Sequence, residues 1–259
     1  MNFLNEIYAL NGKKRVIKLA FFFSLLLVID FLMSHKNNPA DALISLVFHV
    51  LSLCAAIIIH NLGHSWAASL LGDPTPRAQG RFTLNLKYHL DLFGTICFLV
   101  TGLGWGRLTE IWTVRLKRPG FYSVLIIIAG PIANLIAAGA AAWIFGTVFL
   151  NANALQYSNT LQQPGLWSFI AKLFIHLFKA LVNANLLIFF FNLFPVPPLD
   201  CGRLVTMVIE KLYKIRLQDA MSQNVWVLAV VLFFTNLSYT VKLISYNTGL
   251  ELIQAFIQI

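Results

Sequence analysis

Charge is the first thing this chain lacks. Of its 259 residues only 11% are charged, against 58% hydrophobic, where a water-soluble domain carries roughly 25% charged residues. That scarcity excludes an ordinary soluble enzyme. Several apolar runs approach or exceed the ~20 residues that cross a bilayer, as a polytopic membrane protein requires. Acidic residues are rarer still, 10 against 19 basic, for a net charge of +9. No basic run is interleaved with aromatics, so no nucleic-acid surface is expected. The excess of Lys and Arg fits cytoplasmic loops instead. Cysteine is also scarce. Cys54, Cys97 and Cys201 are odd in number and widely spaced, which excludes a disulfide framework and a Cys-x-x-Cys zinc site. With no internal repeat and no low-complexity linker, a single membrane-embedded domain over 1–259 is expected, its core in 41–216.

What is present is a succession of apolar segments. A basic head (Lys13, Lys14, Arg15, Lys18) precedes the run 16–33. With no clean small-residue cleavage site after it, this reads as a retained first helix with its N-terminus cytoplasmic. Further helices are expected over 41–71, 121–150, 166–194 and 225–244, with 203–216 a basic amphipathic segment and 245–259 an interfacial tail. The stretch 92–105 is apolar but short and glycine-broken, and basic residues follow it. It reads as re-entrant or strand-like, with alternation in 109–116 suggesting a short strand. Such backbone is tolerated at membrane depth only where protein covers it. The expected fold is therefore an all-α polytopic membrane protein of about five to six transmembrane helices, with a short re-entrant or β-like segment near 92–116.

The chemistry concentrates at His60-Asn61-Leu62-Gly63-His64. Histidines four apart share one helix face, the spacing that chelates one zinc ion. The metalloprotease version of this motif is His-Glu-x-x-His, whose glutamate is the general base. Here that position is Asn61, so the metal site is offered and the base withheld. A catalytic zinc needs a third protein ligand. Asp200 is the candidate. It follows Asn192-Leu193-Phe194-Pro195-Val196-Pro197-Pro198-Leu199, where prolines break the preceding helix, and the topology puts it at the depth of the histidines. A carboxylate there is costly without a cation. Cys201 is either a further thiolate ligand or a small buried thiol.

At these residues the chain resembles the site-2 protease family (peptidase M50-like, bacterial branch) of intramembrane zinc metallopeptidases. The resemblance runs from His60 to Arg203. It includes Leu71-Gly72-Asp73-Pro74-Thr75, Gln79 to Asn85, His89-Leu90-Asp91, Gly104-Trp105-Gly106, Ala129-Gly130-Pro131 with Asn134, and Asn192 to Asp200. It implies one Zn²⁺ per chain on His60, His64 and Asp200. It also implies a substrate site lined by Asn192 and the proline-rich segment including Pro197, a transmembrane-protein substrate or client within the lipid bilayer, and a multi-pass protein of the bacterial inner membrane. The chain departs from the family pattern at Asn61 and at Cys201, where glycine usually follows the aspartate. General acid–base catalysis contributes on the order of 10²–10⁴ in rate, and an amide has no basic site near neutral pH. Two functions follow: an intramembrane zinc endopeptidase slowed by the missing base or rescued by Glu110, and a pseudoprotease that binds membrane-protein clients without cutting them. A transporter with a metal site at a broken helix lacks the expected repeat symmetry.

Overall fold

A computed structural model describes residues 38–101, 103–151, 165–214, 228, 232 and 235–257. The expected first helix, its cytoplasmic N-terminus and most of the 151–164 loop lie outside the described residues.

The helix α1 (Pro39–Leu70) is 32 residues long, or ~48 Å at 1.5 Å per residue. Asn38 caps it and Pro39 opens it, a position where the missing N–H costs nothing. Its end is set by Gly72, at φ +97. The Asp73 N–H bonds the Ala68 carbonyl and the Gly72 N–H that of Ser69, which is the glycine-terminated helix end of the Schellman type. A single turn α2 (Thr75–Ala78), a 3-10 turn (Leu86–Tyr88) and α3 (Leu92–Thr101) follow. Next come α4 (Pro119–Trp143), continued by a π-helical stretch (Ile144–Asn151), then α5 (Leu166–Asn192), α6 (Asp200–Tyr213) and α7 (Leu237–Ile257).

Three of these, α1, α4 and α5, are long and apolar enough to cross a membrane. They pack on one another, and their outward faces are apolar. Leu43, Val47 and Leu51 on α1 and Leu135 and Ile136 on α4 are exposed, a surface suited to hydrocarbon rather than water. The core between them holds Leu53, Ala56, Leu187, Ile188 and Phe191, with Cys97, Leu103 and Trp105 of the α3 region. Gly63 lets α1 and α4 touch; a Cβ there would lie 2.7 Å from the Ala129 carbonyl oxygen.

The segment 92–116 differs from the strand expected in it. α3 is a ten-residue helix, ~15 Å long, half of what a span needs. The chain then doubles back, with Gly104 pressed against Gly94 so closely that neither admits a side chain. No strand forms among the described residues. One bridge joins Leu90 to Gly106, and Thr113–Arg115 is a 3-10 turn. The alternating pattern fails to make a strand because side chains take the backbone bonds a neighbour would have supplied. Arg81, 3% exposed, donates to the carbonyls of Tyr88, Arg107 and Leu108 at 2.6, 3.3 and 2.7 Å. Asp73 accepts from the Trp112 N–H at 2.8 Å and the Thr75 N–H at 2.9 Å.

The C-terminal boundaries also differ. The expected span 225–244 is interrupted by a bend and turn at residues 235–236, after which a helix begins at Leu237, with Thr235 accepting from the Leu237 N–H; most of 225–234 lies outside the described residues. The supposed tail continues that helix. Val241, Ser245 and Ile253 are buried, and Ile253 and Phe256 pack with Phe145 and Leu186 of the neighbouring helices.

Arg81→Lys removes the fork that serves three carbonyls while keeping the charge. It is expected to cost more than about 2 kcal/mol, since charge-assisted bonds are worth ~1.5–3 kcal/mol each. The check is a lower melting temperature in detergent with faster amide exchange confined to 103–112.

Candidate metal centre

His60 and His64 lie one turn apart on α1, and Asp200 opens α6. The loop between α5 and α6 contains a cis peptide bond between Pro197 and Pro198. Gly202 makes the close return possible, since a Cβ there would sit 2.3 Å from the Val196 carbonyl carbon. Asn192, at the end of α5, ties the loop. Its Nδ2 donates to the Ile188 carbonyl at 2.9 Å and its Oδ1 accepts from the Asp200 N–H at 3.4 Å. The result brings three ligand atoms together. His60 Nε2 and His64 Nε2 are 3.0 Å apart, and Asp200 Oδ2 is 3.0 and 3.3 Å from them. All three residues are buried.

The tautomers decide what this cluster needs. His64 Nδ1 faces the Ile126 carbonyl at 2.8 Å; a carbonyl only accepts, so Nδ1 carries the hydrogen. His60 Nδ1 faces Asn134 Oδ1 at 2.8 Å. Asn134 is oriented by its own amide, which donates to the Ala56 carbonyl and to Asn185 Oδ1, each at 2.9 Å. Asn185 in turn donates to the Leu181 carbonyl. In the neutral imidazoles these tautomers leave both Nε2 atoms as lone pairs, and Asp200 Oδ2 has no hydrogen-bond donor. Three acceptors this close repel unless a cation lies among them. One proton reaches only two of them; a divalent ion serves all three. Zinc bonds of ~2.0–2.1 Å in a tetrahedron give edges of ~3.4 Å, close to the triangle observed. The residues fit zinc, with the outer hydrogen bonds that orient metal-binding histidines already in place.

Space is reserved in the same way. A Cβ on Gly130 would lie 2.3 Å from His64 Nε2 and 2.9 Å from His60 Cε1. Pro131, inside the same helix, cannot donate to the Ile127 carbonyl four residues back. The Ala129-Gly130-Pro131 motif, legible in the sequence only as small-residue packing, thus makes room for both imidazoles.

Residues 48–236 match the family described as Peptidase family M50. The chain belongs to that family. It is 34% identical over 200 residues to the protein of Bacillus subtilis (strain 168) named "Putative zinc metalloprotease YwhC", an overlap of 77% of this chain and 86% of that one. No solved structure matches the chain. Membership of M50 implies zinc and membrane character, and among the described residues the cluster of His60, His64 and Asp200 could hold a metal ion.

The remaining expected residues divide. Asn61, 3% exposed, lines the metal pocket but donates its amide to the His89 carbonyl at 3.2 Å. Asn192 and Pro198 line the pocket, whereas Pro197 lines the larger cavity beyond it. Cys201 does not join the ligand cluster. Glu110 stays outside the metal pocket, where it accepts from Gln79 Nε2 at 2.7 Å. His89 is fully buried and donates through Nε2 to the Thr83 carbonyl at 2.7 Å. Burial holds its pKa below the ordinary imidazole value, with the Thr83 bond opposing and nearby Arg81 adding to the effect. Unforeseen in the sequence are Asn185, whose role depends on a partner 51 residues away, and Arg107, Thr109 and Arg203, which line the pocket.

Gly130→Ala is expected to abolish zinc binding outright, read as metal per chain by elemental analysis. Asn134→Ala, which frees the His60 tautomer, is expected to weaken zinc by roughly 10–100-fold in a chelator competition.

Proposed function

We propose that this M50 protein is a multi-pass protein of a bacterial plasma membrane. It holds one zinc ion on His60, His64 and Asp200 and takes transmembrane segments of other membrane proteins beside it. It hydrolyses them slowly or not at all. Bound zinc supplies Lewis acidity, which polarises a carbonyl and acidifies water. What the chain's own residues lack is the group that moves the proton.

Asn61 carries this reading. Its amide is committed to the His89 carbonyl, and among the described residues Asp200 is the sole carboxylate lining the metal pocket. Glu110, the substitute base that the sequence allowed, is engaged by Gln79. A pocket of about 30 Å³ at the ligands has room for an ion and its water, so binding is provided for while proton transfer is not. The second reading, a working endopeptidase, draws on the likeness to a protein named as a zinc metalloprotease.

The test is cleavage of a generic transmembrane substrate by the purified chain, by Asn61→Glu and by His60→Ala. A glutamate cannot donate to the His89 carbonyl, so its carboxylate is pushed from that carbonyl toward the metal pocket. Asn61→Glu is expected to raise turnover by about 10²–10⁴, with the parent near background and zinc content unchanged. Cleavage by the parent that is lost in His60→Ala would favour the endopeptidase instead.

A further inference from the structure

Beyond the metal pocket lies a cavity of about 710 Å³, and the two share Leu108, Thr109, Pro198 and Arg203 as common walls. Its far side is the N-terminal turn of α4, with Pro119, Gly120 and Ser123 lining it. No side chain caps that helix end, and a helix N-terminus favours negative charge. Buried side-chain polar atoms on these walls have no partner: Thr109 Oγ1, Ser123 Oγ and Arg203 Nη1. Thr109 and Ser123 are 1% and 2% exposed. Arg203 is more telling. Its side chain is 12% exposed, and Nη1 reaches only Asp200 Oδ1, at 3.7 Å. Nη2 makes one long bond to the Thr109 carbonyl at 3.4 Å. A buried guanidinium so thinly partnered is costly, and Asp200 directs its other oxygen at the histidines.

We infer that this cavity is a peptide subsite that reads a carboxylate, with Arg203 as its anchor and Ser123 and Thr109 as supporting hydroxyls. The inference rests on the reading above that the protein takes polypeptide beside its metal centre. A planar carboxylate accepts two parallel bonds from a guanidinium, which supplies the partners that Arg203 lacks. The carboxylate has two possible sources, the C-terminus of a severed or naturally ending segment and an internal Asp or Glu side chain. Arg203 sits where the metal pocket meets the cavity, so either source places the peptide backbone across the ligands. Lys211 on the outer wall adds positive charge. Glu110 and Glu210 line the same wall, and the first of them is taken up by Gln79.

The experiment uses the full, zinc-loaded chain in detergent and three fluorescent versions of one short apolar peptide. One ends in a free carboxylate, one in an amide, and one in an amide with an internal glutamine replaced by glutamate. Anisotropy titration is expected to show one acidic version binding roughly ten- to hundredfold tighter than the neutral amide, as charge-assisted bonds allow. Tighter binding of the free acid identifies a C-terminus as the ligand; tighter binding of the glutamate peptide identifies a side chain. The preference is expected to vanish in Arg203→Gln and to survive partly in Arg203→Lys. Equal binding of all three peptides to the unmodified chain overturns the carboxylate subsite and leaves the peptide-binding reading standing. Failure of all three to bind overturns both. A preference that persists in Arg203→Gln removes Arg203 from the role.

Discussion

Two imidazole nitrogens, lone pairs in the neutral tautomers that their Nδ1 contacts select, and one carboxylate oxygen lie within 3.3 Å of one another. Such an arrangement is repulsive in a buried site unless a cation is shared among them. The surrounding structure is organised around holding it. The Ile126 carbonyl and Asn134 turn both histidines inward, Gly130 leaves their rings room, and Asn192 and the proline loop deliver Asp200. Each contact is ordinary; what they share is a direction, toward an electron-rich point among α1, α4, α5 and α6.

In the same pocket Asn61 occupies the place of the motif's glutamate. Asn61 is one methylene shorter than the usual glutamate of such motifs and ends in an amide rather than a carboxylate. The amide can donate where the carboxylate cannot, and here it donates to His89, whose carbonyl also receives the Arg107 N–H. Asn61 therefore fastens α1 to the returning segment at the Leu90–Gly106 bridge.

Much of this was legible in the sequence because it is written in local pattern. The His pair shows itself by helical spacing, Asp200 by the prolines before it, and α1, α4 and α5 by their apolar runs. What was not legible depends on partners far along the chain. Arg81 and Asp73 read as members of a basic loop and a helix end, yet they bond the backbone of Arg107, Leu108 and Trp112, where alternation suggested a strand. Asn185 had no signal apart from its reach to Asn134. The boundary at Leu237 and the helical course of 245–257 were missed because hydropathy locates an apolar run but not the Thr235 bond at that helix start, nor the fit of Ile253 against Phe145.

The line from His60 through Asn134 to Asn185 has a thermodynamic meaning as well as an orienting one. It crosses from α1 to α4 to α5 through buried amides, and Asp200 adds α6. An ion that binds only when these four helices are assembled is linked to their assembly. With zinc held there, the bundle's apparent stability would depend on free zinc concentration, and a chelator would act on the protein as a mild denaturant.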